Sequence, residues 1–342
     1  MSEKNLTPFG AGRPYRALAA VVAVLALGLT ACGGGGDSAA SVTRTAQQPA
    51  AQASTAPESS ARLASVPLPP PEPPTDSAQL ASPDRVVTYQ DAETVFRDGD
   101  YAQAATLFQA YAERKPDNVW GHYMLGISAW KSGDLESAES ALGRAVEIDP
   151  DNVKALTNLG RVLLEDGKPG EAESHLTHAV DLMPQSADVW RVLGNVQASL
   201  GHADSAAASY REALGINPKD VWAMNNLGLL MIQTGAYEDA LKPLARATEL
   251  EPGSAVFQNN LGVALERSGY KAAAADAYRA ALSADSTYDK ATVSLARVEP
   301  LVGDARPDEV DLEALARAFE KEVGTPTTAV ATTGGGDGGS ER

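Results

Sequence analysis

Residues 119–152 read VWGHYMLGISAWKSGDLESAESALGRAVEIDPDN, and residues 153–186 read VKALTNLGRVLLEDGKPGEAESHLTHAVDLMPQS. The two stretches share a Leu-Gly pair, a second glycine, an alanine and a closing proline, each 34 residues apart. Working outward in both directions, the prolines form the ladder Pro116, Pro150, Pro184, Pro218 and Pro252. Gly126, Gly160, Gly194, Gly228 and Gly262 form a second. Gly99, Gly133, Gly167, Gly201, Gly235 and Gly269 form a third, and Ala104, Ala138, Ala172, Ala206, Ala240 and Ala274 a fourth. Within one unit, Leu125, Gly126 and Ala129 lie on one stripe of a first helix, and Ala138, Leu142 and Ala145 on one stripe of a second. Gly133 stands between them, where a helix stops and a left-handed residue is favoured. Each proline ends a second helix and opens the next unit. No unit can bury its apolar stripe alone, so the units must stack on one another.

A helix-turn-helix unit of this length and pattern resembles the tetratricopeptide repeat. The resemblance implies an all-α, right-handed superhelical solenoid of six repeats, at 85–118, 119–152, 153–186, 187–220, 221–254 and 255–288. The first repeat departs from the pattern, with Asp91 and Ala92 where the others carry Leu and Gly, so its first helix is expected to pack less well. Residues 289–299 keep Leu295 and Ala296 in register and are expected to form a solvating cap helix. A further amphipathic helix is expected over 307–323, opened by Pro307, Asp308 and Glu309, with Leu312, Leu315, Phe319 and Val323 on one face. Two placements stay open for it: capping the stack, or lying in the groove against a ligand. Residues 324–342 are Thr/Gly-rich and are read as a disordered tail.

The chain has 342 residues, a formal charge of −17 and one cysteine, Cys32. One thiol excludes an intramolecular disulfide framework and a multi-thiolate metal site. Lys4, Arg13 and Arg16 precede an apolar run from Ala17 to Leu29, too short for a transmembrane helix of about 20 residues and matching a signal-peptide core. Leu29-Thr30-Ala31-Cys32 follows. This resembles the lipobox of bacterial lipoproteins, and the resemblance implies a signal peptide over 1–31, cleavage before Cys32 and acylation (palmitate among the chains) of that residue. Several acyl chains anchor stably where one binds only marginally. Gly33, in the place where an aspartate retains lipoproteins at the inner membrane, implies the outer membrane, facing the periplasm. Residues 32–84, rich in Ala, Ser and Pro, are read as a disordered tether that cannot bury enough apolar surface to fold. Beyond Cys32 that tether would average roughly 40 Å end to end as a coil.

The acidic balance argues against a nucleic-acid partner, which requires clustered Lys and Arg. The Gly33 to Gly36 tract lacks the Gly-Lys-Ser/Thr of a phosphate-binding loop. His175 and His178 are three apart with no intervening zincin glutamate, so no metal site is expected; no catalytic residue and no cofactor are expected either. Binding is the chemistry this sequence supports.

In the family that the repeats resemble, first helices line a concave groove through repeat positions 2, 5, 9, 12 and 13. Those positions place Trp120, Tyr123, Ile127, Trp130 and Lys131 in the second repeat, and Trp222, Asn225, Leu229, Ile232 and Gln233 in the fifth. Tyr123 and Trp130 also suit packing against a neighbouring repeat, whereas Trp120 and Trp222 stand where the family is polar and read as ligand anchors. Between them Lys154, Arg161, Arg191 and Asn195 form a basic and polar strip, within repeats that carry 17 basic and 28 acidic residues. Such a strip would favour an acidic or C-terminal peptide. Arg191, Asn195 and Asn226 resemble half of the two-carboxylate clamp of chaperone-binding repeat domains; Val256 and Asn260 replace its other half. The combined resemblances imply a non-enzymatic, membrane-anchored scaffold that binds a peptide or helical segment of an envelope protein, similar to assembly lipoproteins of type IV or tight-adherence pili and of secretion systems. The alternatives are an adaptor that recruits peptidoglycan hydrolases or proteases, and an accessory subunit of an envelope enzyme.

Overall fold

The computed structural model describes residues 86–304 and 310–324. The signal segment, Cys32, the tether and residues 325–342 lie outside the described residues. Helix starts are set by side chains that accept orphan backbone N–H groups. Asn118, Asn152, Ser186, Asp220 and Ser254, again 34 apart, each accept the N–H of the residue three positions on. Behind these caps run the first helices α3 (Val119–Ser132), α5 (Val153–Glu165), α7 (Ala187–Ser199), α9 (Val221–Gln233) and α11 (Ala255–Ser268). The second helices are α4 (Leu135–Ile148), α6 (Pro169–Leu182), α8 (Ala203–Ile216), α10 (Tyr237–Leu250) and α12 (Lys271–Ala284). The pair α1 (Tyr89–Arg97) and α2 (Tyr101–Arg114) precedes them, and α13 (Asp289–Val298) with a 3₁₀ turn over Glu299–Asp304 follows. The turn glycines from Gly99 to Gly269 all hold φ between 80 and 94°.

Within each pair from α3/α4 onward the two helices cross at a first-helix glycine, whose place Ala92 takes in α1. A Cβ on Gly228 would lie 2.4 Å from Leu244 Cγ, so no larger residue fits that crossing. The apolar stripes meet there: Leu142, Leu176, Tyr210, Leu244 and Tyr278 are fully buried. Every regular element among the described residues is helical, and the stack is the expected solenoid.

Asp91 explains the short first helix. Its carboxylate accepts the Thr88 N–H at 2.9 Å while its own N–H donates to Thr88 Oγ1, a reciprocal capping box that starts α1 only at Tyr89.

The C-terminal helix α14 (Leu312–Gly324) takes neither of the two placements left open above. It lies on the outer face, packed along α10 and touching α8. The other second helices bury one stripe, but α10 also buries Pro243, Ala245, Arg246 and Thr248. The cause is the apolar edge of α14: Phe319 is 2% exposed, and Arg246 donates to Glu320 at 2.5 Å. Helix α14 also runs on through Gly324, one residue into the expected tail. No helix among the described residues is long and apolar enough to cross a membrane.

Candidate protein-binding groove

Helices α3, α5, α7, α9, α11 and α13 touch in succession and form the inner wall, while the second helices stand further apart outside. The wall begins at Trp120, whose ring meets Tyr123 edge-on at 5.4 Å between centroids. Lys154 Nζ sits 5.6 Å from the Trp120 ring centre. Trp120 Nε1 is buried with no hydrogen-bond partner. Tyr123 and Trp130 tie α3 to α5: the Tyr123 hydroxyl accepts from Asn158 at 3.0 Å, and Trp130 Nε1 donates to Glu165 at 2.7 Å. Burial pushes the Tyr123 phenol above its ordinary range, against the opposing pull of Arg161 and Asn158. Ile127 is buried in the core, and Lys131 leans over the Tyr101 ring at 5.1 Å. Of this first cluster, Trp120 is the residue whose polar atom no internal bond accounts for.

The two arginines of the basic strip are charge-compensated, and Lys154 is its remaining cation. Arg161 Nη2 donates to both oxygens of Asp188 at 2.6 Å, and Arg191 donates to the same carboxylate at 2.6 Å and to Asp220 at 3.1 Å. Burial acts to raise the Asp188 pKa, but the two guanidinium groups outweigh it and hold the carboxyl below its ordinary range. Two arginines thus face two carboxylates, which weakens the attraction for an acidic segment that the strip implied and leaves it to Lys154. The aspartates were overlooked in the sequence reading, although Asp188 stands three residues before Arg191, a spacing that pairs charges on a helix.

The clamp-like asparagines are also engaged with one another. Asn195 Oδ1 accepts from Tyr210 Oη at 3.0 Å and from Asn226 at 2.8 Å. Asn225 donates to Asn226 at 3.3 Å and accepts from Asn260 at 2.9 Å. All three clamp-region residues Asn195, Asn225 and Asn226 are buried. They form a hydrogen-bonded ladder that binds α7, α9 and α11 together. The ladder leaves Asn259 Oδ1 buried with no donor.

At the far end Trp222 packs edge-on against Phe257, 4.9 Å between centroids. With Val256, Asp285 and Tyr288 it lines a pocket of about 270 Å³. Asp285 accepts the Thr287 N–H and hydroxyl at 2.9 and 2.7 Å, and these bonds hold its carboxyl below the ordinary range. Leu229 is half-buried on the same helix as Trp222. The residues missed here, Phe257 and Tyr288, come from the next two helices, and only the stacking brings them to Trp222.

Models of the tetratricopeptide repeat match residues 95–161, 129–196, 197–260 and 255–288. Among solved structures, the Cut9–Hcn1 hetero-tetramer of the APC/C is 17% identical at a TM-score of 0.52, with 67% of this chain and 48% of that one covered. PilF of Pseudomonas aeruginosa is 18% identical at 0.49, covering 62% and 92%. MamA of Desulfovibrio magneticus RS-1 is 19% identical at 0.45, covering 48% and 92%. At these identities the likeness is one of fold alone. No curated protein matches the sequence significantly.

Proposed function

Since this chain belongs to the tetratricopeptide repeat family, whose members bind peptides or protein partners, we propose that it is a non-enzymatic scaffold, lipid-anchored through Cys32, that holds a segment of an envelope protein against its inner wall. The observation that carries the reading is the pocket beside Trp222. At about 270 Å³, walled by Trp222, Val256 and Tyr288, it has room for one side chain of a partner. Rigid aromatic walls suit an anchor residue of a partner, since Trp and Tyr give large contact area at little entropic cost. Trp120, half-buried with its ring edge-on to Tyr123, supplies a second aromatic surface at the other end of the wall.

Anchoring rests on the apolar run ending in Leu29-Thr30-Ala31-Cys32, and the outer-membrane placement on Gly33. Within the envelope, the combination of that signal with these repeats favours a role in assembling a pilus or secretion complex. Because Arg161 and Arg191 are already paired, the partner segment is held through apolar and aromatic contact rather than through a carboxylate clamp. Two variants test the proposal in the producing cell. Cys32→Ser should move the protein from the membrane to the soluble fraction. Trp222→Ala should weaken partner capture by about 30-fold, the scale of a buried aromatic anchor. Unchanged capture with the fold intact would refute the groove, and unchanged fractionation would refute the anchor.

A further inference from the structure

We propose that the outer face of the first repeats is a second docking site, and that it takes an amphipathic helix with positively charged flanks from a partner protein. Helix α14 is seated in the furrow between α8 and α10. There Phe319 joins a cluster with Leu214, Met224 and Leu227, with Ala207, Met231 and Val323 packed against it. Arg246 at the edge donates to Glu249 at 2.7 Å and to Glu320 of α14.

Three repeats earlier the same positions are Ala105, Ala112, His122 in place of Met224, Leu125, Ala129, Gly143 and Arg144; they line a cleft of about 1760 Å³ between α2 and α4 that runs on to α6, with Ala112, Leu125 and Ala129 at its buried floor. Smaller residues widen it: Ala112 replaces Leu214, Ala129 replaces Met231, and Gly143 replaces Ala245. Arg144 repeats the local bond, donating to Glu147 at 2.9 Å, yet its side chain is 45% exposed where that of Arg246 is 10% exposed. The cleft is therefore built as the α14 furrow is built, with its arginine still facing outward. An open cleft that runs past three successive second helices suits an elongated element such as a helix better than a compact metabolite.

Charge chooses between possible helices. The rims carry Glu113, Glu136, Glu139, Asp166 and Glu171 against Arg144 and Lys168, and Lys168 is already held by Glu139 and Asp166. A second copy's α14, with Glu313, Glu320 and Glu322 against Arg317 and Lys321, would meet these rims with like charge. A helix with basic flanks and a bulky apolar ridge meets both demands.

The test uses the full chain and a fluorescein-labelled peptide of residues 310–324 carrying Glu313→Lys and Glu322→Lys, which keeps the apolar ridge and Glu320 but turns the flanks basic. Binding is followed by fluorescence anisotropy. Gly143→Trp puts a ring into the cleft from a position whose added Cβ meets nothing within 4 Å, and a thermal melt checks that the variant folds. The expected result is a Kd at least tenfold higher for Gly143→Trp and for Glu136→Lys, with Arg279→Ala unchanged because it lies exposed on α12, far along the stack from the cleft. Equal binding to Gly143→Trp and the native chain overturns the proposal. So does equal affinity for the unmodified acidic 310–324 peptide, or no binding to the native chain up to about 1 mM, the weakest affinity a specific site would show.

Discussion

Gly228 and Gly143 both lie inside helices, and replacing each by alanine should change stability with opposite sign. A helix-interior glycine costs about 0.5–1 kcal/mol relative to alanine, so the substitution brings that much gain wherever the new methyl fits. At Gly143 nothing lies within 4 Å of the added Cβ. At Gly228 the same atom falls 2.4 Å from Leu244 Cγ and 2.8 and 3.0 Å from its two methyls, against about 3.5–4.0 Å for an unstrained carbon pair. Leu244 is fully buried and has no free volume to retreat into. Overpacking costs about 1–3 kcal/mol, and a 2.4 Å approach to a buried side chain belongs in the upper half, about 2–3 kcal/mol, so Gly228→Ala should be destabilising by about 1–2.5 kcal/mol net, and Gly143→Ala stabilising by up to about 1 kcal/mol. Urea unfolding followed by helical circular dichroism measures both, with the slope checked for a constant cooperative unit because repeat arrays can lose theirs. Two shifts of the same sign, or a neutral Gly228→Ala, would refute the claim that these glycines are set by the helix crossing.

Truncation after residue 304 should expose Pro243, Arg246 and Thr248, lower the melting temperature by several degrees, and leave capture by the inner wall unchanged; a rise in capture would place α14 in the groove after all. Asp188→Asn should cost about 0.5–1 kcal/mol at pH 7, discounted because the carboxylate is half-exposed. The folded carboxyl is depressed, so its contribution is present above the unfolded value of about 3.9 and lost as the pH falls through the folded pKa. Native and variant stabilities should therefore converge in strong acid, and a gap that widens there would contradict the ion-pair reading. Asn226→Ala removes the bond that joins α7 to α9 at Asn195, which keeps only Tyr210, and takes the acceptor from the buried Asn225 amide; it should cost about 1–3 kcal/mol in chemical unfolding, and a neutral result would show that the ladder does not hold the helices together.

The solenoid was legible because its causes are local and repeat: a glycine where two helices cross, a glycine where the chain turns, a proline where it restarts. What the sequence did not show was which charges meet. Arg161 and Asp188 are 27 residues apart, and the superhelical offset of α5 and α7 decides that they pair. Periodicity identified the apolar edge of α14 but not its seat, because the furrow between α8 and α10 exists only once the second helices have splayed. Trp222 was found as an unusual residue at its repeat position, whereas its pocket depends on Phe257 and Tyr288 from other helices.

The central claim is that the wall beside Trp222 holds a segment of an envelope protein, and crosslinking from that wall tests it most directly. A photoreactive residue placed at position 222 or 229 of the lipidated protein, activated in the producing cell and read by mass spectrometry, should join the same envelope polypeptide that Trp222→Ala fails to capture. Crosslinks absent at both positions, with that polypeptide still captured by the intact protein, would contradict the account.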